Sequence, residues 1–61
     1  MEKIIIKLEI KGSAFDEYPG MEVARILREL ADRIEGMTQA PDGLMMLHDI
    51  NGNNVGAAQI I

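Results

Sequence analysis

The stretch 19-PGMEVARILRELADRIE-35 decides how the rest of the chain is read. Val23, Ile26, Leu27, Leu30, Ala31 and Ile34 fall at offsets 0, 3, 4, 7, 8 and 11, the spacing of one apolar helix stripe. Glu22, Arg25, Arg28, Glu29, Asp32, Arg33 and Glu35 occupy the other side, and Arg25–Glu29, Arg28–Asp32 and Glu29–Arg33 are opposite charges four apart. Pro19 suits a first helical turn, and Gly36 suits the residue after the last one. The spacing therefore predicts an amphipathic helix over 19–35, with one face on a core and one in solvent.

Before the helix, residues 2–11 alternate. Ile4, Ile6, Leu8 and Ile10 fall on one side, and Ile5, Lys7, Glu9 and Lys11 on the other, which predicts a half-buried strand ended by Gly12 and Ser13. Residues 13–18 form a connector. After the helix, residues 37–43 contain a Pro-Asp-Gly turn signal, and residues 44–50 and 55–61 read as two further strands. Asn51-Gly52 between them predicts a tight hairpin with both residues in left-handed conformations and Asp49 hydrogen-bonded into the turn. Gly56, Ala57 and Ala58 are small, so something packs close to the last strand. The expected fold is α+β, a single β-α-β-β domain over residues 1–61. Its three-stranded sheet carries the amphipathic helix on one face, with a right-handed crossover if the first two strands run parallel.

Bulk properties narrow the function classes. A chain of 61 residues buries a modest core. Cysteine is absent and His48 stands alone, so disulfides and a zinc centre are excluded as staples. Regular geometry and self-association remain. One helix covers one sheet face, so Ile5, Lys7 and Glu9 are expected on the other. With Met45 and Leu47 beside Ile5, that face would be an apolar patch, and this face or an edge strand is expected to form a homodimer. The net charge of −4 disfavours direct nucleic-acid binding. The apolar run at residues 4–6 is too short for a signal peptide or membrane span, so a bacterial-type cytoplasm is expected, without membrane attachment.

No catalytic constellation is evident. His48 and Asp49 are neighbours on a strand and point to opposite faces, and Ser13 has no base partner. The run from Asp49 to Asn54 has glycine at the fourth place and Ile60 at the twelfth, which fails the calcium-loop pattern. Phosphate-loop glycine patterns are missing. The chain is expected to be no enzyme, with no cofactor and no metal. The segment Phe15-Asp16-Glu17-Tyr18-Pro19 holds the only two aromatics beside two acids. Asp16, Glu17 and Tyr18, with Arg25, Arg28 and Glu29 of the helix, are the candidate partner-binding residues. The structural alternatives are Phe15 plugging the core, Tyr18 packed over the helix start, and the arginines neutralised along a solvated face.

Ala14-Phe15, the helix 19–35 and the segment 47–56 together resemble a group of very small phage and prophage proteins. In these a P-G-x-E-x-A-R-I-L-R-x-L-A-x-R helix precedes a D-x-N-G-N-x-V-G hairpin, matched here by residues 19–33 and 49–56. The resemblance carries over no functional residue. It implies a context, that of phage accessory proteins that bind a host protein stoichiometrically, among them anti-defence inhibitors of the anti-CRISPR kind. The alternative from the residues is a dimeric binder or sequestering protein for a small anionic ligand such as a nucleotide, held by the helix arginines.

Overall fold

A computed structural model describes residues 3–37 and 43–61. The elements are strand β1 (Ile4–Leu8), a 3-10 turn (Ser13–Phe15), helix α1 (Pro19–Glu35), β2 (Gly43–His48) and β3 (Asn54–Ile60). The expected β-α-β-β order and the helix bounds are both present. The turn signal at residues 41–42 and the strand reading of residue 2 lie outside the described residues.

The sheet order is β1-β3-β2, with β3 antiparallel to both neighbours. β1 and β2 therefore run parallel to each other, and the β1–α1–β2 link crosses over β3. The register fixes the faces. Ile6 and Met45 both lie opposite Ala58, and Leu8 and Leu47 both lie opposite Gly56. This is the helix side, where Ile26 and Leu30 of α1 pack with Leu47, Ala58 and Phe15 in the core. Val55 joins them because the register slips between Leu47 and His48, a bulge that adds one residue to β3.

Several expectations are corrected. Met45 and Leu47 do not lie on the uncovered face. Leu47 is 2% exposed in the core, and Met45 packs against that core. The apolar set beside Ile5 on the uncovered face is Leu44 and Met46, because β2 takes the opposite alternation. The helix stripe is narrower than its pattern: Leu27 and Ala31 are exposed. Gly36 closes the helix in an ordinary right-handed conformation, with its N–H donating to the Asp32 carbonyl at 3.1 Å. The hairpin loop has three residues, Ile50, Asn51 and Gly52. Asp49 N–H donates to the Asn53 carbonyl at 2.9 Å, and only Gly52 takes a positive φ, 86°.

The close packing expected at the small residues is backbone against backbone. A Cβ on Gly56 would sit 2.0 Å from the Lys7 carbonyl oxygen in β1. Gly52 is the opposite case, with open space around it and only its φ to satisfy. Gly52→Ala is expected to cost about 1 kcal/mol from left-handed strain alone. Gly56→Ala is expected to cost about 3 kcal/mol, because neither strand can yield without breaking the pairing. Urea-unfolding midpoints of the two variants check this ranking.

Candidate functional site

The site grows from the start of α1. Pro19 opens the helix, and the N–H groups of Met21 and Glu22 donate to the Tyr18 carbonyl at 3.1 and 3.2 Å. That turn aims the Glu22 carboxylate inward, where the residue is only 7% exposed. A buried carboxylate needs partners, and Glu22 has three contacts. Arg25 donates through Nε at 2.7 Å and through Nη2 at 3.0 Å, and the Ile50 N–H donates at 2.8 Å. The Arg25 guanidinium holds the Glu22 carboxyl below its ordinary range against the opposing effect of burial, and the Ile50 N–H helps. Glu22 in turn raises the pKa of Arg25.

The second anchor is Asp49, 6% exposed at the base of the hairpin. One carboxylate oxygen accepts the N–H groups of Asn51 and Asn53, each at 2.9 Å, and the other accepts the Asn53 side-chain amide at 3.3 Å. Burial alone would push this carboxyl up. The hydrogen bonds from Asn53 and Asn51, with the positive charge of Arg25, outweigh it and leave the group below its ordinary value. Asp49 thus bonds into the turn as the sequence predicts. The hairpin is also tied to the 3-10 turn, since the Asn51 side-chain amide donates to the Ser13 hydroxyl at 3.2 Å.

An open groove lies between the 3-10 turn, the first turns of α1 and the hairpin tip. Glu17, Tyr18, Arg25 and Arg28, four of the residues expected to bind a partner, line it together. Glu29 is reached through its ion pair with Arg25, whereas Asp16 is exposed outside the lining. Phe15 plugs the core at 4% exposure, and Tyr18 stands out at 63%. Sequence reading missed Met21 and Ile50, which are 70% and 67% exposed on the same groove. Met21 lies off the helix stripe, and Ile50 reads as a strand residue although it sits in the turn. An isoleucine beside Asn-Gly was the available signal.

Of the three four-apart pairs, Arg25–Glu29 forms, whereas among the described residues Arg28–Asp32 and Glu29–Arg33 make no ion pair. Arg25 donates to the His48 carbonyl at 3.3 Å, and Arg33 donates to the Met46 carbonyl at 3.0 Å. Among the described residues Arg28 makes no ion pair, and no helix is long and apolar enough to cross a membrane. No family model matches this sequence, and neither a curated protein nor a solved structure matches it.

Because the folded Glu22 and Asp49 carboxyls titrate below their unfolded values, their contribution to stability is complete above the ordinary carboxyl range of about 3.9–4.3. It is lost as pH falls through the lower folded values. Glu22→Gln is expected to melt below the wild type at pH 7, and the gap is expected to narrow as the pH falls below the ordinary carboxyl range. Thermal melts followed by circular dichroism across and below that range test the assignment.

Proposed function

We propose that this protein works by stoichiometric binding, as a non-enzymatic phage-type accessory protein that docks on a host protein through the groove. Inhibition of a host defence component, in the manner of anti-CRISPR proteins, is the activity class. The observation that carries the reading is the exposure of Tyr18, Met21 and Ile50 on one surface whose walls are held by the Glu22–Ile50 and Asn51–Ser13 bonds. A frame already held by hydrogen bonds has little further backbone entropy to lose when a partner covers the side chains it carries. Tyrosine and arginine are the residue types that most often dominate binding energy. Arg28, with no ion pair among the described residues, offers its guanidinium to a carboxylate beside the partner's apolar anchor. The resemblance to small phage proteins supplies the context of a host partner.

The same arginine supports the second reading, a small anionic ligand such as a nucleotide. A bound nucleotide would raise the melting temperature by mass action, whereas a protein-docking groove leaves it unmoved.

The experiment is affinity capture from bacterial lysate with the wild type and with Tyr18→Ala/Met21→Ala/Ile50→Ala, followed by titration of the retained protein after purification. These residues lie outside the core, so the variant is expected to fold. Its affinity for the purified partner is expected to fall at least about a hundredfold. Equal binding by the variant, or no retained protein at all, defeats the reading.

A further inference from the structure

β1 and β2 are the two edges of the sheet, and they are treated differently. An edge strand presents a row of unpaired N–H and C=O groups that invites another strand, and folded proteins generally blunt it. On β2 the outward carbonyls of Met46 and His48 accept hydrogen bonds from Arg33 and Arg25, so two guanidinium groups of α1 lie along that edge. β1 has no such cover among the described residues. Lys3 and Ile61 exchange both backbone hydrogen bonds at 3.0 Å, and Glu9 N–H donates to the Val55 carbonyl at 2.7 Å. The odd-numbered residues of β1 therefore turn their backbone groups towards β3, and Ile4, Ile6 and Leu8 turn theirs outward. The strand is also apolar on both sides, with Ile4, Ile5 and Ile6 exposed at 45%, 37% and 41%.

We infer that β1 pairs with β1 of a second copy, antiparallel about a two-fold axis at Ile6, to form one continuous six-stranded sheet. The strand-to-strand contact involves none of the groove residues, and the inference stands apart from the proposed function.

Hydrogen bonding and charge select the register. Outward groups must face outward groups, so only registers that set even residues opposite even residues are allowed. Centring on Ile5 places Lys3 opposite Lys7 on both sides of the axis, and centring on Lys7 places that lysine opposite itself. Like charges directly opposite are destabilising. Centring on Leu8 leaves Ile4 without a strand residue opposite it. Centring on Ile6 pairs Ile4 with Leu8 twice, Ile6 with Ile6, and Lys3 with Glu9 twice, all across the axis. Lys7 then lies opposite Ile5, where its alkyl stem covers the isoleucine. Among the described residues of one chain the ion pair of Glu9 is with Lys11, at 3.5 Å with both side chains at least 70% exposed, a pair weak enough to exchange. In the resulting sheet both outer edges are β2, each already lined by Arg25 and Arg33.

Light scattering coupled to size exclusion, over a concentration series at low salt, tests this. The wild type is expected at twice 6.7 kDa. Lys3→Glu and Glu9→Lys are each expected to weaken the dimer about tenfold or more, since two attractive cross-strand pairs become repulsive. The double swap is expected to restore it. Because the natural chain has no cysteine, Ile6→Cys gives a second readout. On the axis its Cα atoms would be about 5.5 Å apart, within disulfide reach, so oxidation is expected to link Ile6→Cys efficiently and Ile5→Cys poorly. A 6.7 kDa particle at every concentration overturns the inference. So does a dimer indifferent to the swaps, or one that links through position 5 in preference to position 6.

Discussion

The carboxylate of Glu22 is the point at which the helix, the hairpin and the sheet edge are joined. It is nearly buried, and it cannot remain so without hydrogen bonds. Meeting that demand brings the Ile50 N–H to the first turns of α1 and draws Arg25 back along the helix flank. Arg25 then reaches the His48 carbonyl. One desolvated charge thus sets the distance between α1 and the β2–β3 hairpin, and with it the width of the groove in which Tyr18, Met21 and Ile50 stand exposed.

The anchoring is lopsided. The polar contacts of α1 with the sheet run to β2 and to the turn beyond it, so the helix leans to that side. Leu27 is exposed on the helix, and Ile4 and Ile6 are exposed on β1. A single helix cannot cover three strands evenly, and the placement of its charged residues determines which edge it protects. Besides the uncovered sheet face with Ile5, Leu44 and Met46, the groove and the β1 edge are left exposed, and these two differ in kind. The groove presents side chains on a braced frame, suited to a shaped partner. The β1 edge presents backbone groups, suited to another strand.

The helix was legible to its end residues, because the apolar stripe, Pro19 and Gly36 all act within a turn or two of one another. The strand at β1 and the role of Asp49 in the turn were legible for the same reason, but β1 is confined to Ile4–Leu8 and is not half-buried, since Ile4 and Ile6 are exposed like Ile5. At the candidate site the cluster of Glu17, Tyr18, Arg25 and Arg28 could be named because it is short in sequence and rich in interface residue types. Glu22 could not be distinguished from its charged neighbours. Nothing local separates a carboxylate that solvates a helix face from one that accepts the N–H of a residue 28 positions away. Ile50 was read as strand because its apolar character outweighs its place beside Asn-Gly, and the three-residue loop became apparent only from the bond between Asp49 and Asn53.

By itself the sequence determined the element order, the helix with its buried stripe, the existence of the hairpin, and a mainly aliphatic core with no cysteine to staple it. These follow from periodicity and from turn chemistry, which are short-range. The tertiary structure decided which face of β2 meets the helix, that β3 stands in the middle, that Leu47 belongs to the core, and which of two edges is left open. A strand pattern with period two is satisfied equally by either face until a partner strand fixes the register. A charged helix flank becomes a clamp only when a carbonyl from a distant strand comes within reach of its arginines.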